Sequence, residues 1–501
     1  NDYGLHIIET SDKGFLVVGY TTGGTTATDD GLIIKLDKDG KILWSKIIAN
    51  PGNERFYGCI EMNSNYFLVG NTTSSSNGGQ DAWCVKLTTN GDVVWSKIFG
   101  GTSDDGLYKL AILPDNTLAM CGYSGGSGER SAYLYLIRID ENGNIFYEKK
   151  YGNGLTSTQT NSARGLALTQ AGNLILSGYT YCFGAGLHDA VVFSVKPSDG
   201  TRIWTKSFGG PLNDGFNSIH KTKDDHFICS GAARLDGSPN TKYWVVKLNA
   251  QGDTVWQKNY YQNPTYSYSG NIANAEDDGF IGVLNENSSS GLSACNVMRL
   301  NSFGNLLWAK RFDGINSEAF STVLTTSDNS YVALGQTNSF GNGRYDIFLV
   351  KLDKNGEMDS CCVRTVNILN SKYKNSVISQ TQDILQYSSI STYSNVSADF
   401  SMQVLSNCTD KIKPFIINDT FCTGINYPLP GGGSTNVSGT FVKNYTTLNG
   451  CDSSIILNLF SNKSPKTGLR DSVLCEYDFD TIQLKIANFM SYRWMPNGEI
   501  T

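Results

Sequence analysis

The stretch Asp81-Ala82-Trp83-Cys84-Val85-Lys86-Leu87-Thr88-Thr89-Asn90-Gly91-Asp92-Val93-Val94-Trp95-Ser96-Lys97 reads as a strand, a tight turn and a second strand. Asn90-Gly91 has the chemistry of a two-residue hairpin turn, where positive φ is needed and Gly supplies it without strain. The phrase decides the fold because the chain repeats it. Equivalent turn glycines stand at Gly40, Gly91, Gly143, Gly200, Gly252, Gly304 and Gly356. Four residues after each comes an aromatic (Trp44, Trp95, Tyr147, Trp204, Trp256, Trp308), except in the last copy, where Ser360 takes its place. Upstream in each copy a strand ends in Gly19, Gly70, Gly122, Gly178, Gly231, Gly282 or Gly335. Self-similarity at a period of roughly 50 residues marks a stack of identical supersecondary units.

Within one unit, residues 102 to 152, the runs Leu107–Leu113, Leu118–Tyr123, Tyr133–Ile139 and Ile145–Lys149 are rich in β-branched and aromatic residues and are separated by Gly, Asn, Asp and Ser. That pattern predicts four antiparallel strands per unit, and no 3.6-residue apolar period competes with it. Seven such units predict an all-β chain with a seven-bladed β-propeller over residues 1–362. The repeated aromatic suits a place between neighbouring blades, where burying one ring is worth roughly 2 to 3 kcal/mol. Basic residues recur near the end of strand three (Lys35, Lys86, Arg138, Lys196, Lys247, Arg299, Lys351) and two positions after the aromatic (Lys46, Lys97, Lys149, Lys206, Lys258, Lys310). A net charge of −6 and one-per-blade spacing read as rim charges rather than a polyanion-binding stripe.

With 53 Gly among 501 residues and only 17% charged side chains, the composition fits a turn-rich secreted protein and argues against a nucleic-acid binder. No apolar run reaches the length of a membrane span. The chain opens directly on an innermost-strand pattern, Asp2-Tyr3-Gly4, which suggests a mature or trimmed fragment. Cys59, Cys84, Cys121, Cys229 and Cys295 fall in strand patterns and Cys182 in a loop, so free thiols are expected there. Cys361, Cys362, Cys408, Cys422, Cys451 and Cys475 fall after the repeats, where small extracellular modules need staples. Cys422–Cys451 is the preferred bridge, with Cys408 pairing with Cys361 or Cys362.

Past Gly356 the repeat stops. Residues 363–412 form a polar, Ser-rich, strand-forming stretch read as a linking β-module. Residues 413–461 read as a small Cys-stapled β-sandwich-like module, and 462–501 as the start of an incomplete immunoglobulin-like domain, with Trp494 on its third strand.

The stretch from Asp419 to Pro430, with Ser438-Gly439-Thr440-Phe441 and Gly450-Cys451-Asp452-Ser453, resembles a repeat module of large secreted proteins of Bacteroidetes. Ser472–Asp478 and Ser491–Ile500 look like the PKD or Ig-like modules that often follow it, and the blade copy from Asp81 to Gly106 is similar to the propellers found in the same proteins. The resemblance implies export by a type IX secretion system, a sorting domain further C-terminal, cell-surface attachment outside this chain, and adhesion or gliding motility. Lys35–Trp44 is also similar to the repeat of quinoprotein dehydrogenases, which have eight blades and cofactor-stacking residues not found here. Pro197–Trp204 is similar to a sialidase Asp box, with one residue too many between Gly200 and Trp204 and no arginine triad to accompany it.

The blade-to-blade junctions carry Asp2, Glu54, Asp104, Asp105, Asp214 and Glu318, so one face can present a ring of carboxylates near the channel mouth. A hard cation such as Ca2+ or a hydroxyl-rich glycan would suit that ring. Equally, each carboxylate can cap backbone N–H groups of its own junction. The Gly, Ser, Thr and Asn-rich connections between strands two and three, such as Thr21–Asp29 and Thr180–His188, emerge on the same face. No catalytic motif, phosphate loop or Cys/His metal spacing is present, and the only histidines are His6, His188, His220 and His226. The expectation is therefore a noncatalytic extracellular binding or structural protein, needing no cofactor, whose partners are surface proteins, glycans or secretion machinery. Two alternatives stand beside it: a polysaccharide-active enzyme or lectin using the propeller face, and a subunit of a surface filament. Clustered aromatic and carboxylate residues at the channel mouth would favour the enzyme.

Overall fold

The computed structural model describes residues 1–358 except 23–27, 75–78, 128–129, 153–160, 183, 185–186, 235–240, 262–265, 288–292, 313, 315 and 340–343. Beyond 358 it describes 364–365, 369–372, 378–379, 390–393, 397–399, 415–422, 427–429, 434–446 and 452–462. The chain forms two compact units, one of residues 1–358 with 365–402, the other of 359–364 with 403–501.

The first unit is the expected all-β, seven-bladed propeller. Its innermost strands are Asp2–Glu9, Glu54–Met62, Asp105–Ile112, Ser162–Leu168, Gly215–Lys221, Tyr266–Asn274 and Glu318–Thr325. Six blades contain four consecutive antiparallel strands, and the seventh has three among the described residues. Which segment supplies its fourth strand lies outside them.

The core sits between blades rather than within them. Each buried cluster joins two neighbours; Leu16, Val18 and Ile33 of blade one pack with Phe56, Leu68 and Trp83 of blade two, for example. The ring closes in the same way, because Ile7, Val17 and Leu32 of blade one share a cluster with Val332 and Leu334 of blade seven. A backbone bond repeats at the junctions, from the residue that opens an innermost strand, or the one just before it, to the carbonyl preceding strand three of the blade before: Glu54 N to Asp29 O at 2.7 Å, Asp105 N to Gln80 O at 2.7 Å, Asp214 N to His188 O at 2.8 Å. Asp2 N donates to Tyr345 O at 2.8 Å, so the first and last blades meet through this same bond.

The repeated aromatic does pack across blades. Trp44, Trp204, Trp256 and Trp308 lie against the turn glycines of the next blade, Gly91, Gly252, Gly304 and Gly356, and Tyr147 lies against Gly200. Those glycines all have φ between +70° and +82°, the left-handed conformation that hairpin chemistry predicts. The basic residues are rim charges with partners. Lys35, Arg138, Lys247, Arg299 and Lys351 pair with Asp12, Asp115, Asp224, Asp277 and Asp328 in the inner hairpin turn of their own blade. Lys46, Lys206 and Lys310 reach Asp92, Asp253 and Glu357 of the next.

One regularity escaped the sequence reading. Every innermost strand is bulged at its third or later residue, at Leu5, Tyr57, Tyr108, Arg164, Asn217 and Ser321, with a two-residue irregularity at Gly270-Asn271 in blade six. A bulge inserts one unpaired residue, bends the strand and re-aims a side chain. Here it also pushes a backbone carbonyl against strand two, which explains the strand-two glycines.

Within residues 363–412, Leu369–Lys372 pairs with strand four of blade five, Ile378–Ser379 with blade four, Ile390–Tyr393 with blade two and Ser397–Asp399 with blade one, all antiparallel. The described strands of this segment pair with successive blades against the blade order and cover outer edges that would otherwise present unpaired N–H and C=O groups.

In the second unit, Asp452–Asn462 is the central strand of three, parallel to Phe415–Cys422 and antiparallel to Gly439–Thr446, with Leu457 and Leu459 buried. Tyr427–Pro428 pairs with Ser434–Thr435. The immunoglobulin-like reading of 462–501 and the Cys422–Cys451 pairing fall on residues outside the described set.

Candidate functional site

The bulges place one side chain per blade around the central channel. Tyr57 and Tyr108 contact each other edge to face at 5.1 Å between ring centroids, and the Arg164 guanidinium lies 3.9 Å above the Tyr108 ring. Around them a continuous chain of rings runs across five blades. Tyr345 and Tyr3 are 5.7 Å apart, Tyr3 stacks on Tyr20 at 4.5 Å, and Arg55 sits 4.8 Å over Tyr20. Arg55 donates through Nε to Asp29 at 2.7 Å. On the other side of Tyr108, Tyr123 follows at 5.5 Å, and Arg164 donates to the Tyr179 hydroxyl at 3.1 Å. Tyr179 and Tyr181 flank His188 at 5.1 and 5.2 Å. Except for buried Tyr123, all of these side chains are half-buried, so each keeps a face in water.

The expected carboxylate ring is present in part and is turned inward. Glu54, Asp105, Asp214 and Glu318 are at most 1% exposed. Each accepts from the backbone N–H four residues earlier: Glu54 from Asn50 at 3.1 Å, Asp105 from Gly101 at 2.9 Å, Asp214 from Gly210 at 2.6 Å and Glu318 from Gly314 at 2.6 Å. Their other contacts tie down the start of the following loop: Glu54 to the Thr72 and Ser74 hydroxyls at 2.8 and 2.6 Å, Asp214 to Arg234 N at 2.7 Å, and Glu318 to Thr337 at 3.1 Å. Asp104 accepts from Gln80 N at 2.8 Å. Burial raises the pKa of Glu54 and Asp105, and burial with the neighbouring Asp189 charge pushes Asp214 up to about 6. These carboxylates shape the platform on which the aromatic chain rests. Among the described residues no group of three or more His, Cys, Asp or Glu side chains is arranged to hold a metal ion.

Deeper in the channel the lining includes a lysine and two histidines. Lys109 and His6 follow the bulges of blades three and one, and His220 belongs to blade five. His6 accepts through Nδ1 from Cys59 N–H at 3.2 Å, and His220 Nε2 meets Asn271 Oδ1 at 3.3 Å. Burial holds His6 well below its usual range and lowers His220 to about 4, and both feel Lys109. Burial also lowers Lys109 to about 8. Blades one, three and five are not all neighbours, so this mutual influence runs across the channel.

Sequence reasoning named the carboxylates and missed the aromatic chain. A signal for three of its members was available, because Tyr20, Tyr123 and Tyr179 each directly follow the glycine of strand two. The connecting loops between strands two and three, also expected at this face, lie largely outside the described residues.

No known protein family matches the sequence, and no curated protein does. Solved structures with some likeness include an endo-arabinase from Bacteroides thetaiotaomicron, 8% identical, covering 48% of this chain and 92% of that one with a TM-score of 0.28. A glucose dehydrogenase is 11% identical, covering 59% and 95%, with a TM-score of 0.32. An exo-β-1,3-galactanase from Clostridium thermocellum is 10% identical, covering 65% and 77%, with a TM-score of 0.29. The expectation of a protein without catalytic activity is corrected by this comparison: the solved structures with some likeness include an endo-arabinase, an endo-1,4-β-xylanase, an exo-β-1,3-galactanase and a sialidase, all enzymes. The error came from treating the lack of a linear motif as evidence, whereas a ring fold gathers its site from separate blades. At these identities none of those activities transfers to this chain.

Proposed function

We propose that the propeller is a polysaccharide-active protein or lectin that takes a sugar chain at its channel mouth. The observation that carries this reading is the series of half-buried rings Tyr345, Tyr3, Tyr20, Tyr57, Tyr108, Tyr179 and Tyr181, linked in places through Arg55, Arg164 and His188. Sugar rings present C–H faces that pack on aromatic faces, and hydroxyls that accept from guanidinium groups and exchange hydrogen bonds with phenols. An extended row of such groups suits a polymer better than a single small molecule. Export to the cell surface, implied by the Bacteroidetes-type resemblance, belongs to the same proposal, since that is where polysaccharide is met. The buried, backbone-bonded Asp214 and Glu54 are positioning residues in this scheme.

Affinity gel electrophoresis of the full chain in gels containing neutral or acidic polysaccharides, paired with a reducing-end assay on the same polymers, tests it. Retardation by at least one polymer, reduced roughly tenfold in Tyr108→Ala or Tyr20→Ala, is expected on the scale of 1.4 kcal/mol per tenfold change. Unretarded migration in every gel together with no new reducing ends sinks the proposal.

A further inference from the structure

Arg164 and Lys109 are cations at and below the channel mouth without a counter-charge. Arg164 bonds the Tyr179 hydroxyl and stacks on Tyr108, but its buried Nε–H has no partner among the described residues. Lys109 has no ion pair or hydrogen bond from its ammonium group among them either, and the titratable groups that influence it or feel it are the two histidines and the Cys59 and Cys121 thiols, which burial keeps uncharged. Yet this is an acidic chain, with 46 Asp and Glu against 40 Lys and Arg, and most of its recurring rim cations form ion pairs. The innermost strands place their carboxylates only at the two ends, at Asp2, Glu54, Asp105 and Glu318 on one face and Glu9 and Glu61 toward the other. Between those ends the strands contribute Arg164, Lys109, His6 and His220 and not one Asp or Glu.

Leaving two cations partly dehydrated and uncompensated is costly, and such groups in a concave site mark a place where an anion completes the charge balance. Arg164 suits a planar or tetrahedral oxyanion, because its fork donates two parallel hydrogen bonds. We propose that the channel mouth seats the anionic group of an acidic glycan, a uronate carboxylate or a sulfate ester, on the unpartnered Nε–H edge of Arg164, with the Lys109 ammonium group adding positive potential from the channel wall, while the sugar rings lie on the tyrosines. This rests on the glycan reading above and narrows it to polyanionic sugars.

The test is titration calorimetry of the full chain with polygalacturonate for the carboxylate, chondroitin sulfate for the sulfate ester, and a neutral galactan as the uncharged comparison, each in low and moderate salt. The expected result is binding of one acidic polymer at least tenfold tighter than the galactan, with Arg164→Gln and Lys109→Met each removing most of that preference and Lys109→Arg retaining it. The carboxylate and sulfate arms distinguish which anion is read. Since Arg164→Gln can disturb the packing on Tyr108, protection of Lys109 from reductive methylation by the bound polymer supplies an independent readout on the unmutated chain. Equal affinity for galactan and both acidic polymers overturns this inference and leaves the glycan reading standing. Binding of none of the three, with no polymer retained in the gels, removes both. Tight acidic binding that is unchanged in Arg164→Gln and Lys109→Met, with Lys109 unprotected, also overturns it, because the polymer then sits elsewhere.

Discussion

The carbonyl oxygen of Arg55 lies 1.8 Å from the point where a Cβ on Gly70 would sit. The bulge at Tyr57 creates that proximity, and it recurs at Gly19, Gly122, Gly178, Gly231 and Gly335, whose Cβ positions fall 1.8 to 1.9 Å from the carbonyls of Tyr3, Gly106, Ser162, Gly215 and Ala319. The strand-two glycine and the channel-facing bulge are therefore one device. Gly282 differs, because the irregularity in blade six spans two residues and its nearest contact is the Tyr243 hydroxyl at 3.0 Å. Gly70→Ala should then cost about 3 kcal/mol or more, since backbone must move, while Gly282→Ala should cost about 1 kcal/mol. Urea denaturation of both variants checks the contrast, and equal losses would show that the bulge does not set the glycine requirement.

Trp95 couples blade two to blade three by a route that Trp256 shares between blades five and six. Its indole N–H donates to the Glu141 carbonyl at 3.1 Å, and its ring meets Phe67 edge to face at 5.9 Å. Trp95→Ala removes the ring and one of two donors to that carbonyl, the other being Lys86 Nζ at 3.3 Å, so it should cost about 3 to 5 kcal/mol, mostly through the cavity. Trp256, which donates to Ser302 O at 3.1 Å, should behave alike. A scanning-calorimetry midpoint within about one degree of the parent would contradict both, given that 1 kcal/mol moves a domain of this size by roughly 2 °C or more.

The propeller was legible because its determinants are local and repeated sevenfold. Turn glycines, the aromatic four residues later and the strand-ending glycine each satisfy a requirement within one hairpin or between adjacent blades, and repetition separates them from noise. The candidate site was much less legible. The bulged position carries Leu5, Tyr57, Tyr108, Arg164, Asn217 and Ser321, and only Tyr57 and Tyr108 share a residue type, so periodicity hides it. Carboxylates drew attention by their regular placement at the junctions, and that regularity reflects backbone capping at Asn50, Gly101, Gly210 and Gly314. The outer strands between 369 and 399 carry no repeat signature, since an edge strand is held by backbone bonds that many side chains permit.

The thiols offer a chemical check on the interior. None of the propeller cysteines Cys59, Cys84, Cys121, Cys182, Cys229 and Cys295 is in a disulfide, and all but Cys182 are buried. Burial pushes Cys59 and Cys121 up to about 12 and raises Cys84 and Cys229 further, which suppresses the reactive thiolate. Cys182 is half-buried in a loop. Native iodoacetamide labelling at pH 8, read by peptide mass mapping, should modify Cys182 at least tenfold faster than Cys59, Cys84, Cys121, Cys229 and Cys295. Comparable rates at Cys84 and Cys182 would mean that the blade interiors open to solvent.

Lys109 links stability, pH and binding. Its ammonium group is protonated in the unfolded chain up to about pH 10.5, but in the folded channel burial lowers it to about 8. A lysine with a lowered pKa penalises the folded state wherever both forms are charged, and the penalty is relieved as pH rises from about 8 to about 10.5, where the unfolded chain holds the proton longer. At pH 7 Lys109→Met should therefore stabilise the protein. The full shift corresponds to about 3 kcal/mol, and residual water contact in the channel reduces this to about 1 to 2 kcal/mol. Denaturation of the parent and Lys109→Met between pH 7 and pH 10.5 should show the gap closing with increasing pH. A variant less stable than the parent at pH 7 would mean that the ammonium group is already compensated in the empty channel. An acidic polymer that neutralises Lys109 should close the same gap at constant pH, which joins the stability measurement to the binding measurement through one side chain.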